Sequence, residues 1–301
     1  MRPIVSSSTS EPRERRPPAR PAGGTRRAAA TRPGVRVRRL ERAADDGYRS
    51  GLVPGLRASA DAERLAEEIA FASGRLERLA AAPPGLYAEV ASGGDVEERA
   101  WLAFLIAYLC PLEGEAPFTA IDGARTSWAS GELAALDGVE TGPRTAHDPA
   151  RGSATLEAYR GWARRAGSQA QAFTGEASWT PERRFGRVFE RLALPGLHRG
   201  ARFDLLVTLG RLGVFELRAG ALELGGSDEV TVAAKRAFGI GDPLLLERRA
   251  AALADASGVP LEALDLGLFN WGRGERATMG LGHDIGPDAS ALAGARAALA
   301  V

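Results

Sequence analysis

Residues 193–213 read ALPGLHRGARFDLLVTLGRLG. Leu205, Leu206, Leu209 and Leu212 recur with the spacing of one helix face, and Leu194-Pro195-Gly196 breaks the chain just before them. Upstream, Phe185, Val188, Phe189 and Leu192 stand at i, i+3, i+4 and i+7, the spacing of a buried helical stripe. The segment therefore predicts a helix, a Pro-Gly turn and a second helix. Each carries an apolar face that other elements must cover.

Helical periodicity continues outward in both directions. Asp61 is placed to cap a helix on which Leu65, Ile69 and Ala72 share a face, continued by Leu76 and Leu79. The DVEE stretch at 95–98 has a capping-box pattern and opens a helix with Trp101, Phe104, Leu105, Tyr108 and Leu109 inward. Only 213–226, GVFELRAGALELGG, alternates in a way compatible with a short β-hairpin. Residues 111–153 are rich in Gly, Pro, Asp and Thr and predict a loop-rich insert, and loops of that length in a compact protein are usually functional or disordered. The expected fold class is all-α.

Charge divides the chain. Residues 1–43 hold 12 Arg against three Glu, whereas the remainder has 27 basic and 35 acidic residues. Six prolines and few large apolar side chains leave the first segment unable to bury enough surface to offset its ordering entropy, so residues 1–45 are expected to be a disordered basic arm and 46–301 a helical domain. Such an arm suits nonspecific contact with DNA phosphates, and equally a plain solvated tail, since 38 of the 39 basic residues are Arg. No apolar run reaches the roughly 20 residues of a membrane span, and the N-terminus lacks the apolar core of a secretory signal, so no membrane association and a cytoplasmic location are expected. A single cysteine, Cys110, precludes an internal disulfide and a four-cysteine zinc or iron–sulfur site within the chain. His147, His198 and His283 show no metal-ligand spacing, and neither metal nor other cofactor is expected.

Several polar residues are candidates for chemistry. In GGSDEVTVAAKRAFGIGDP, 225–243, Ser227 is a good N-cap that would put Asp228 and Glu229 in the first helical turn, where the helix dipole favours negative charge. Lys235 lies on the same helical face as Asp228 and suits a phosphate contact or a salt bridge equally. In GPRTAHDP, 142–149, Arg144 is able to fork onto a phosphate or pyrophosphate, and His147 to shuttle a proton with Asp148 orienting its ring; the same stretch also reads as turn punctuation. Asp265 interrupts an apolar face made by Leu261, Leu264 and Leu268, and if buried it must find a partner. Asn270 and Trp271 follow, the latter either stacking on a base or packing in the core. Asp204 and Glu216 are rival carboxylates.

In order, 193–213, the segment around Asp228 and LDLGLFNWGRG at 264–274 resemble the helix-hairpin-helix DNA glycosylase superfamily, and the resemblance spans about 193–275 within a hairpin and catalytic-like region of 183–275. Within it, GPRTAHDP, LPGLHRGARFDLLVTLGRLG and LDLGLFNWG are similar to the α-glutamyl/putrescinyl thymine pyrophosphorylase-like branch. The resemblance implies a two-lobed helical fold with Asp228 as the catalytic carboxylate, Gly196, Gly200, Arg144, Lys235, Asn270 and Trp271 near substrate or phosphate, and 104–121 as the helix pair bordering a base pocket. It implies replacement of pyrophosphate on a modified thymine by an amine; the alternatives are a monofunctional DNA glycosylase and a non-catalytic DNA-binding module. Two departures matter. The second glycine of the usual Pro-Gly-apolar-Gly hairpin is His198 here, and the second hairpin helix has no lysine, so Schiff-base lyase chemistry is not expected.

Overall fold

In the computed structural model, which describes residues 43–282 and 286–301, the chain runs through twelve α-helices. These are α1 (Ser59–Ala81), α2 (Leu86–Ser92), α3 (Val96–Leu109), α4 (Thr119–Ala124), α5 (Gly152–Arg165), α6 (Gln169–Thr174), α7 (Pro181–Arg191), α8 (Arg199–Arg211), α9 (Glu229–Phe238), α10 (Pro243–Ser257), α11 (Leu261–Arg273) and α12 (Ala289–Leu299). Most of the basic arm, residues 1–42, and His283 lie outside the described residues.

The helix ends follow from local chemistry. Asp95, Thr180, Asp242 and Asp288 each cap a helix by accepting a backbone N–H, and Pro181 and Pro243 occupy first-turn positions that need no amide donor. The capping box at 95–98 is only half formed. Asp95 accepts from Glu97 N, but Glu98 turns away to accept from the Ser127 hydroxyl and the amides of Trp128 and Ala129. Helix α1 begins ahead of Asp61, which sits in its first turn rather than at its cap.

Helix α11 packs on α1 and α9, and α12 on α1 and α10; α8 packs on α3, α7 and α1, joining the two sets of helices. A single hydrophobic cluster runs through both sets. The predicted apolar faces of α1, α3, α7 and α8 are all buried in it. Phe104 stacks on Tyr159 with ring centroids 3.8 Å apart, at the centre of an aromatic column that includes Trp101 and Tyr108.

The hairpin expected at 213–226 is absent, and no strand occurs among the described residues. Its alternating pattern is real, with Leu217, Leu222 and Leu224 buried, but side chains rather than a second strand satisfy the backbone. Glu247 accepts the amides of Leu222 (2.7 Å) and Leu224 (2.5 Å), Glu262 accepts that of Ala219, and Arg184 and Arg199 donate to the carbonyls of Glu216 and Leu222. This ribbon leads directly into the head of α9.

The expected loop-rich insert contains α4 and then returns along the end of α3. Gly142 N donates to the Cys110 carbonyl (2.9 Å) and Ala146 N to the Tyr108 carbonyl (3.0 Å), so the loop satisfies carbonyls that the helix end leaves open. A Cβ on Gly142 would lie 1.9 Å from the Pro111 carbonyl oxygen. Gly142→Ala is accordingly expected to destabilise the protein by about 1–3 kcal/mol, whereas Gly123→Ala, in an exposed helical position with open space around it, is expected to be neutral or stabilising. Urea unfolding of the two variants measures the contrast.

Candidate functional site

Docking of the 142–146 loop onto α3 delivers Arg144 into the interior, where its side chain is 2% exposed. There its Nε and Nη2 form a two-pronged contact with Asp204 of α8 (2.9 and 3.0 Å), and Nη2 also donates to Asp265 of α11 (2.5 Å). The other oxygen of Asp265 accepts from Arg199 Nη2 at 2.5 Å. Arg199, the first residue of α8, reaches on through Nη1 to within 3.7 Å of Asp228 Oδ1. One chain of charges, Asp204–Arg144–Asp265–Arg199–Asp228, thus joins the loop to the heads of α8 and α9 and the middle of α11.

Burial raises the pKa of a carboxyl and guanidinium neighbours lower it. At Asp265 burial is the largest influence, but Arg199 and Arg144 together outweigh it and hold the carboxyl below its usual range. At Asp204 burial is again the largest influence, and with the negative charge of Asp265 it outweighs Arg144 and Arg75, so the pKa is raised. Burial opposes the charge of Arg144, yet Asp204 and Asp265 more than compensate and raise its pKa. Because the depressed Asp265 favours folding while ionised, its contribution is present above the ordinary carboxyl pKa of about 4 and is lost as pH falls through the lower folded value.

Asp228 is the N-cap of α9. Its Oδ1 accepts from Thr231 N (3.2 Å) and its Oδ2 from the Thr231 hydroxyl (2.6 Å), so the cap lies one residue later than the expected Ser227. Its side chain remains 24% exposed, the most accessible member of the charge chain. It lines a cavity of about 390 Å³ walled by residues 143–145, the head of α8 at 198–201, the head of α9 at 226–230, and Phe269. The Phe269 ring lies close to the guanidiniums of Arg144 (4.6 Å) and Arg273 (5.2 Å). Arg144 Nη1 and Arg199 Nη1 are both buried without a hydrogen-bond acceptor.

Other expected site residues lie elsewhere. His147 Nδ1 is 3.3 Å from the Tyr108 hydroxyl, while Asp148 accepts from Ala150 N and faces Arg151, so the proposed His–Asp pair does not form. Neither residue lines the cavity. Asn270 and Trp271 are core residues: Asn270 bridges Glu68 and Ala277 N, and the Trp271 indole donates to the Asp61 carbonyl (2.9 Å), leaving no ring face for a base. Lys235 donates to the Gly226 carbonyl from the surface. Gly200 lines the cavity, and Gly196 turns the hairpin with φ 79° beside Thr155. Glu216 is exposed and pairs with Arg184. The 104–121 region does not border this cavity.

Arg199 carries more of the site than the sequence reading assigned to it. The only signal was indirect: a buried Asp265 on an apolar face requires cations, and Arg144 and Arg199 supply them. Cys110 is buried, and burial pushes its thiol up to about 12. Among the described residues, no helix is long and apolar enough to cross a membrane. Comparison with protein-family models, with curated proteins and with solved structures finds no match.

Replacing one member of a buried charge pair leaves its partner uncompensated, typically at about 3–5 kcal/mol. Arg144→Met is therefore expected to lower stability by that amount, and the double variant Arg144→Met with Asp204→Leu to recover part of the loss. Thermal unfolding at pH 7 reads both.

Proposed function

We propose that the protein is an enzyme acting on a base in DNA, built on a helix-hairpin-helix glycosylase-like fold, with Asp228 as the group that meets the reacting sugar. The observation that carries this reading is the charge distribution around the cavity. Three carboxylates, Asp204, Asp265 and Asp228, share the two guanidiniums of Arg144 and Arg199, and Asp228, 3.7 Å from Arg199 Nη1, is the one of the three that faces the cavity. A fixed carboxylate stabilises positive charge that develops in a transition state. Cleavage of an N-glycosidic bond develops such charge on the sugar, while water takes the place of the departing base.

Two features support the fold assignment. Helices α7 and α8 flank the expected turn, closed by Leu197 N donating to the Leu194 carbonyl with Gly196 at positive φ. The segment after α8 then brings Asp228 to the head of the next helix, in the order the family resemblance implies. The only lysine, Lys235, is engaged at the surface, so hydrolysis without a covalent amine intermediate fits better than lyase chemistry.

Displacement of pyrophosphate from a modified thymine by an amine is the second reading. Its support is that Arg144 and Arg199 each keep an Nη1 without an acceptor near the cavity. In that reaction the amine nitrogen forms the new bond to the thymine methylene carbon, pyrophosphate leaves with the bonding electrons, and Asp228 accepts the amine proton. The carboxylates already held by both guanidiniums favour the glycosylase chemistry.

Mass spectrometry of bases and nucleosides from duplexes carrying altered bases, with and without amines, tests the proposal. Wild type is expected to release a free base, and borohydride to trap no protein–DNA adduct. Asp228→Asn keeps a capping side chain at α9 and is expected to lower the rate by about 10²–10³-fold with little change in thermal midpoint. Binding without any product would instead support the non-catalytic module. Deleting residues 1–43 is expected to weaken duplex affinity and flatten its dependence on salt if the basic arm contacts phosphates; an unchanged slope excludes that role.

A further inference from the structure

We propose that Arg199 is the positioning residue for Asp228, and that Asp265 holds Arg199 in the orientation this requires. The inference rests on the reading above in taking Asp228 as the group that meets the substrate.

Arg199 acts on Asp228 by two routes. The first is through the backbone. Its guanidinium donates to the Leu222 carbonyl and, at 3.3 Å, to the Glu223 carbonyl, while Glu247 takes the amides of Leu222 and Leu224. A ribbon with no strand partner is thereby clamped from both sides four residues before Asp228. The second route is direct. Arg199 Nη1 faces Asp228 Oδ1 at 3.7 Å, outside hydrogen-bond distance, and has no other acceptor although the side chain is only 7% exposed. A buried donor left unpaired costs stability, and Nη1 carries that cost beside the Asp228 carboxylate. Hydrogen bonds at reacting groups are often long in the empty enzyme and tighten in the complex, and Nη1 is placed for that step.

Asp265 supplies the fixed end. Its carboxylate, 1% exposed within α11, accepts from Arg199 Nη2 and Arg144 Nη2 at 2.5 Å each, so neither guanidinium is free to swing. The Phe203 ring lies 5.0 Å from the Arg199 guanidinium carbon and limits the remaining face. The Leu222, Glu223 and Asp265 contacts fix the guanidinium, and what distinguishes its Nη1 is its place 3.7 Å from Asp228 in the cavity wall.

The test combines rates with crystal structures. Arg199→Gln is expected to lower kcat for base release by about 10²-fold, the usual cost of displacing a reacting group by an ångström, with KM within a few-fold of wild type. In the Asp228→Asn background the same change is expected to add no further loss, because Arg199 acts through that carboxylate. Equal losses in both backgrounds would overturn the proposal. The crystal structure of Arg199→Gln is expected to show the Asp228 carboxylate turned from its place beside the cavity; an unmoved Asp228 overturns the proposal whatever the rates. If Arg199→Gln fails to fold, Asp265→Asn, which keeps the shape of the side chain, is read by the same cycle and the same displacement. Wild-type protein that releases no base defeats the functional reading, while the crystal comparison still decides whether Arg199 positions Asp228.

Discussion

A carboxylate with almost no contact with water holds the interior together. Asp265 sits in the middle of α11 between the guanidiniums of Arg144 and Arg199, and an ionised group so deeply buried is tolerated only with such partners. The two arginines are placed differently. One rides on the 142–146 loop, fixed because it satisfies open carbonyls at the end of α3; the other starts α8 immediately after the Pro-Gly turn. Asp265 therefore binds a loop, a helix head and a helix middle at one point, and Asp204 completes the set from one turn further along α8.

That arrangement constrains the chemistry. Two guanidiniums in a cavity wall ordinarily suggest an anion site, but here each is matched by an internal carboxylate. Only Asp228 combines membership of the charge chain, a place in the cavity wall and appreciable exposure. Helix capping and a reaction role are not rivals at this residue. Capping uses its contacts to Thr231 N and the Thr231 hydroxyl, and the same contacts fix the carboxylate at the cavity.

The helical class was legible because it depends on periodicity, and the apolar stripes on α1, α3, α7 and α8 face inward as their spacing requires. The demand for a partner at Asp265 was legible too, since an acid on an apolar face has few alternatives. The partner's identity was not, because with 38 arginines in the chain residue type discriminates nothing and only tertiary placement selects Arg144 and Arg199. The 213–226 segment misled for a related reason. Alternation reports which residues face inward, not what pairs with the backbone, and there Glu247, Glu262, Arg184 and Arg199 stand in for a neighbouring strand. Local pattern likewise could not place His147, whose ring turns toward Tyr108 on α3 rather than toward its neighbour Asp148.

The negative charge that Asp228 presents to the cavity, 3.7 Å from Arg199 Nη1, is measured by comparing the affinities of two duplexes. One carries a neutral tetrahydrofuran abasic nucleotide and the other a pyrrolidine nucleotide whose protonated nitrogen mimics the charged sugar. Wild type is expected to bind the cationic duplex more tightly, and Asp228→Asn to lose that preference. Equal affinity of wild type for both duplexes would contradict it.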